Sequence, residues 1–230
     1  MPAVGRHGRA PAARRRQLHI QDRRGRIAVV KSHELESLIG FLNSISNLCA
    51  IEHADRSRRL LRRAVEFLRY KHARRGQLLP LGDELEMVEV LFELARARFG
   101  EQLVASINSA EYPSESAGAC FVPHYSVLAF VENAVNHAFE NIEPPWTLSV
   151  EVSGRESGFG VTIADNGIGF EPEPYLNGYH APTKDDGARD YTGLSATIER
   201  LATYFGDRHE LRVASSPAAG TLVELYLPSG

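Results

Sequence analysis

Val131-Glu132-Asn133-Ala134-Val135-Asn136-His137-Ala138 is the stretch on which the fold turns. Helical spacing puts Asn133, Asn136 and His137 at i, i+3 and i+4 on one polar stripe, while Val127, Phe130, Val131 and Ala134 form an apolar one. A stripe of Asn, Asn and His is a poor solvent face. A carboxamide oxygen is a hard ligand suited to magnesium, an ion usually shared between protein and nucleotide phosphates, so a single Asn on a helix wall suffices as its protein anchor. An amphipathic helix whose Asn and His simply meet water fits this octapeptide equally well. Two later segments decide between them: Asp165-Asn166-Gly167-Ile168-Gly169 and Gly220-Thr221.

Gly158 to Ala164 has the composition of a β-strand, and it runs directly into Asp165 and two glycines separated by one apolar residue. An Asp at a strand end can accept a hydrogen bond from an exocyclic amine, and neighbouring glycines let the backbone approach a flat ring closely. Asp-Asn-Gly is also strong turn chemistry. Against a hairpin, no return strand follows at once, and Gly169 would be superfluous in a two-residue turn.

An Asn-bearing helix, a strand ending in Asp-x-Gly-x-Gly and a late Gly-Thr strand together resemble the Bergerat ATP-binding fold of histidine kinases, type II topoisomerases, Hsp90 and MutL. The tighter resemblance is to LytS/YesM-type sensor histidine kinases. It rests on Val122-Pro123, Val131 to Ala134 with His137, Asp165 to Gly169, Gly193-Leu194 with Glu199-Arg200-Leu201, and Gly220-Thr221 with Leu227-Pro228, in that order. The resemblance implies ATP and magnesium as ligands. In it Asn133 binds magnesium, Asn136, His137, Gly193 and Leu194 count among the nucleotide-binding residues, and Asp165 reads adenine. Gly167 and Gly169 shape the base pocket, Thr221 beside Gly220 supports Asp165, and Glu132 polarises a phosphoacceptor.

Across 230 residues, 43% hydrophobic content suits one or two globular units with a real core. No apolar run is long enough to span a bilayer and no signal-peptide pattern occurs, so a soluble, cytoplasmic chain is expected. Cys49 and Cys120 fit no metal spacing and are expected as free thiols. Residues 1–31 carry a net +8 against −11 for the remainder. This arm is expected to be flexible, with a possible short hairpin within 17–30, and the absence of interleaved aromatics argues against nucleic acid.

From Ser32 the periodicity is helical: Leu35, Leu38, Ile39, Leu42, Ile45 and Leu48, then Leu60, Leu61, Ala64, Val65 and Leu68 after a polar break. A two-helix hairpin of this kind must bury its apolar faces, and pairing with a second copy into a four-helix bundle gives a homodimer, as in histidine kinases. The expected architecture is α/β: the basic arm 1–31, a helical-hairpin dimerisation region 32–100, and a Bergerat-type α/β sandwich 101–230. Its strands are expected at 102–108, 147–152, 159–164, 210–215 and 221–227, and its helices at 123–139 and 193–205.

Departures from the family pattern shape the functional expectation. Aligned without a gap, the family's acceptor His falls on Glu36, and aligned with a gap the element is deleted. Neither alignment supplies the imidazole. His33, one turn away, substitutes only if the helix is shifted, and a lone His at a helix start is more often a capping or surface residue. The lid before Gly193 carries Arg189-Asp190-Tyr191-Thr192 where the family has glycines, and Asn136 stands where relatives often have Lys. Ala129 lies one turn before Asn133, where hydrolysing members of the fold place a Glu, so direct ATP hydrolysis should be slow. The resemblance thus implies a LytS-like histidine kinase signalling to a response regulator. The alternatives are a pseudokinase-type dimeric regulator and an anti-sigma-type Ser/Thr kinase.

Overall fold

Period-two alternation builds the sheet on which the site rests. In the computed structural model, which describes residues 32–73, 77–110, 120–155, 157–172 and 192–229, five strands form one mixed sheet. They are β2 (Leu103–Asn108), β4 (Trp146–Arg155), β5 (Gly158–Asp165), β6 (Glu210–Ser215) and β7 (Thr221–Pro228), in the order β2-β4-β5-β7-β6. β2 and β4 are parallel, and the other pairs are antiparallel. Leu148, Val150 and Val152 of β4 share one face with Phe159, Val161 and Ile163 of β5 and Val223, Leu225 and Leu227 of β7, all buried. Each such side chain contributes about 1.5–3 kcal/mol by leaving water. Glu151, Ser106 and Glu224 alternate onto the opposite, exposed face.

Helices cover the apolar face. α3 (Leu81–Phe99) buries Leu81, Val88, Leu91, Phe92 and Ala95 at helical spacing and ends at Gly100, whose φ of 64° is free of cost only without a Cβ. Beside it lies α4 (Val127–Asn133), and beside α4 lies α5 (Thr192–Phe205). A small antiparallel pair, β1 (Leu78–Pro80) with β3 (Phe121–Pro123), flanks the starts of α3 and α4. The remaining helices are α1 (Ser32–Ile51) and α2 (Asp55–His72).

Three helices, not two, therefore precede β2, the first strand of the five-stranded sheet. α3 belongs to the sheet's core, and one hydrophobic cluster runs from Phe67 of α2 through α3 and α4 to Leu227. Packing divides the chain into Met1–Gly40 and Phe41–Gly230, so the expected division at residue 100 is not a break in packing. The expected hairpin within 17–30 and most of the lid lie outside the described residues. Among the described residues, no helix is long and apolar enough to cross a membrane.

Candidate functional site

Inward positions on β5 are Phe159, Val161 and Ile163, and the next one, at the strand's end, is Asp165. The register aligns Leu148, Asp165, Thr221 and Ser215 in one row across β4, β5, β7 and β6. The sheet thus ends in a polar row under the helices. Burial pushes the Asp165 carboxyl up, while hydrogen bonds from the Gly167 amide and from the amide and hydroxyl of Thr221 pull it back. Gly167 donates at 2.9 Å. Ser215 extends the row: its hydroxyl bonds the Gly220 carbonyl at 2.9 Å, meets Thr221 Oγ1 at 3.1 Å and accepts the Phe170 amide at 2.9 Å.

The loop after Asp165 is clamped on three sides. Asn166 Oδ1 accepts the Thr147 amide at 2.7 Å, and its Nδ2 donates to the Pro145 carbonyl at 2.9 Å. Ile168 donates to the Ala138 carbonyl and accepts from the Ala218 amide, each at 2.7 Å. A Cβ on Gly167 would collide with the backbone of Ala138, and one on Gly169, already at φ 64°, would collide with the Ser216 carbonyl. Both glycines are close approaches of backbone to backbone, and Asp-Asn-Gly does not turn a hairpin here.

Facing this loop, α4 continues as a π turn, Ala134–Ala138. Such turns concentrate at functional sites because they re-aim side chains. A π turn holds more residues than an α turn, so Asn133 and His137 come into line while Asn136 rotates away. Asn133, Ala134, His137 and Ala138 form one wall of a small, open cleft, completed by Ile168, Gly169, Phe170 and Thr221. Asn136 is exposed and does not line the cleft, which corrects the expected three-residue stripe. His137 meets Glu140 at 3.2 Å.

Of the other expected site residues, Asp165, Gly167 and Gly220 do not line the cleft: Asp165 accepts the Gly167 amide, Gly167 backs onto Ala138, and Gly220 onto the Asp165 backbone. Gly193 and Leu194 fall in the first turn of α5, and His33 in that of α1, but their side chains lie outside the described residues. Glu132 does not face the cleft. Its carboxylate is held by Lys71 Nζ at 2.5 Å and by the Tyr125 hydroxyl. Sequence reasoning missed Phe170 and Ser215. Phe170 follows Gly169 directly, and Ser215 is the residue that strand register sets opposite Thr221.

Two family models match this chain: Histidine kinase over residues 38–103, and Histidine kinase-, DNA gyrase B-, and HSP90-like ATPase over residues 124–230. Sensor protein LytS of Bacillus anthracis is 28% identical over 192 residues, covering 83% of this chain and 32% of that protein. The Bacillus subtilis (strain 168) protein of the same name is 28% identical over 193 residues, covering 83% and 31%. The chain spans about a third of the length of these curated relatives. The histidine kinase domain of Erythrobacter litoralis EL346 blue-light activated histidine kinase is similar in structure, at 18% identity and a TM-score of 0.46 over 86% of this chain and 93% of that one. With both family models matched in order, and the LytS likeness running through both, the chain is similar along most of its length to LytS-type histidine kinases and matches an ATPase-type domain of the kind they carry.

Proposed function

We propose that this chain is the signalling region of a cytoplasmic LytS-type kinase, which binds ATP with magnesium in the cleft beside α4 and acts, as a homodimer, on a response regulator. Asp165 carries the reading: a carboxylate at a strand end, steadied by Gly167 and Thr221, is an acceptor suited to an adenine amine. Asn133 on the facing wall offers the hard oxygen that magnesium takes. Bound magnesium would supply neutralisation of phosphate charge. Calorimetric titration of the full chain with Mg-ATP tests the reading, and absence of binding sinks it.

Proton linkage gives a second check. Ionised Asp165 is the acceptor, and burial raises its pKa, so affinity for ATP should fall as pH drops through that raised value. The decline should begin above the pH at which an ordinary Asp protonates, as read by titrations at stepped pH. A decline confined to the ordinary Asp range would show that the base is recognised elsewhere.

Dimerisation is supported by α1, where Phe41 and Ile51 are 71% and 73% exposed and Leu48 is 55% exposed. Apolar residues of this size on one helix call for a cover. Leu48→Glu with Ile51→Glu should convert the dimer to a monomer in light scattering, and an unchanged mass would remove α1 from the interface. A variant of the main reading, a dimeric regulator that binds nucleotide without phosphorylating itself, is favoured by Glu36 at the family's acceptor position.

A further inference from the structure

The helix that carries Asn133 is capped by other helices. Ser126, at the N-cap of α4, is fully buried and makes no capping hydrogen bond with its side chain. By local rules the first amides of α4 would be left orphaned in the core. They are taken instead by Glu84, a fully buried carboxylate on α3. Its Oε1 accepts the Tyr125 amide at 2.5 Å and its Oε2 the Leu128 amide at 3.1 Å, and the Val127 amide also bonds to it. The hydroxyl of Tyr70, from the last turn of α2, donates to Oε1. A buried carboxylate is tolerated only when saturated with donors in this way.

The last turn of α2 makes two more grips, one just before α4 and one on it. The Tyr70 carbonyl meets His124 Nε2 at 2.9 Å, and Lys71 pairs with Glu132, the residue before Asn133. Tyr125, between the two grips, holds a φ of 64°, a conformation that non-glycine residues adopt only when surroundings impose it. Arg200 of α5 imposes it by donating to the His124 and Tyr125 carbonyls at 2.6 and 3.2 Å.

We propose that Glu84 and Tyr70 are positioning residues for the magnesium-nucleotide complex: they fix the start of α4, and through it the setting of Asn133, so that the end of α2 governs how the site holds a triphosphate. This rests on the nucleotide reading above. α4 runs seven residues, about two turns, before the π turn, so a shift at its start reaches Asn133 with little length to absorb it. Asp165 is placed by β5 and by Gly167 and Thr221, and its loop meets the helix at Ala138, past Asn133 and far from the cap, so base recognition depends on the cap less than Asn133 does.

That separation provides the test: calorimetry on the full chain with Mg-ATP, and with ADP in excess chelator. Glu84→Gln keeps volume but turns a carboxamide toward amide donors. It should weaken Mg-ATP about tenfold and magnesium-free ADP by less than about twofold, whereas a merely destabilised fold would lose both ligands together. Tyr70→Phe removes one hydroxyl, should show the same split at about threefold, and decides the matter if Glu84→Gln does not fold. Unchanged Mg-ATP affinity in Tyr70→Phe, or equal losses of both ligands, overturns the proposal. Asp165→Asn run alongside should lose both ligands. If it retains them, the nucleotide reading fails whatever the cap variants do; if it loses them while Tyr70→Phe binds normally, only the positioning role falls.

Discussion

Asp165→Asn should reduce the affinity for Mg-ATP on the order of a hundredfold without weakening the fold. The carboxylate accepts from Gly167 and from Thr221 and still has acceptor capacity to turn toward an adenine amine. A carboxamide has one acceptor oxygen. Satisfying the loop with it points the amide nitrogen at the ligand, donor against donor, and losing a charge-assisted bond while stranding a buried donor costs about 3 kcal/mol. Stability moves the other way. Because burial raises the folded-state pKa above that of the unfolded chain, the folded protein holds the proton more tightly, and stability is lost as pH rises through the folded pKa. A neutral Asn escapes that loss, so thermal unfolding at neutral pH should occur at the same or a higher temperature. Binding equal to wild type would refute the pocket. Loss of binding together with a lower unfolding temperature would mean that Asp165 holds the loop rather than the base.

Local alternation made the sheet legible. β6 lies at 210–215 as its period predicts, and the other four strands start and end within a few residues of expectation. The glycines at 167 and 169 were legible too, because Asp-x-Gly-x-Gly after a strand demands close approach, although what approaches is the backbone of Ala138 and Ser216 as well as any ring. Asn136 was misplaced for a physical reason: an i, i+3, i+4 stripe assumes α spacing, and no residue type in Ala134–Ala138 announces a π turn. α3 was absorbed into the dimerisation region because its apolar positions repeat like those of α1, while its partner, the sheet, lies far along the chain. Glu84 carried a signal that was passed over, a carboxylate in phase with Leu81, Val88 and Leu91. An acid on a buried stripe needs donors from elsewhere, and only the fold reveals them as the amides of α4 and the Tyr70 hydroxyl.

Incubation with γ-labelled ATP should leave little or no acid-labile, base-stable phosphate on the protein. Phosphohistidine requires a nucleophilic imidazole delivered in line with the γ-phosphate, and neither alignment of the first helix supplies one: without a gap Glu36 falls at the family's acceptor position, and with a gap the element is missing. A carboxylate there carries the same charge as the triphosphate and would repel it. The residue expected to polarise an acceptor is engaged as well: both Glu132 oxygens are taken, one by Lys71 and the other by the Tyr125 hydroxyl. Freeing Glu132 would break an ion pair at 2.5 Å in which both side chains are partly buried. Missing imidazole and committed carboxylate act on the same step from opposite sides, so the deficit should persist in Lys71→Ala, where Glu132 loses its ion pair but no acceptor is gained. Strong labelling that vanishes in His33→Gln would make His33 the acceptor and the chain a self-phosphorylating kinase. Labelling that survives His33→Gln would mean that another nucleophile is used and that the alignment of the first helix on Glu36 is wrong.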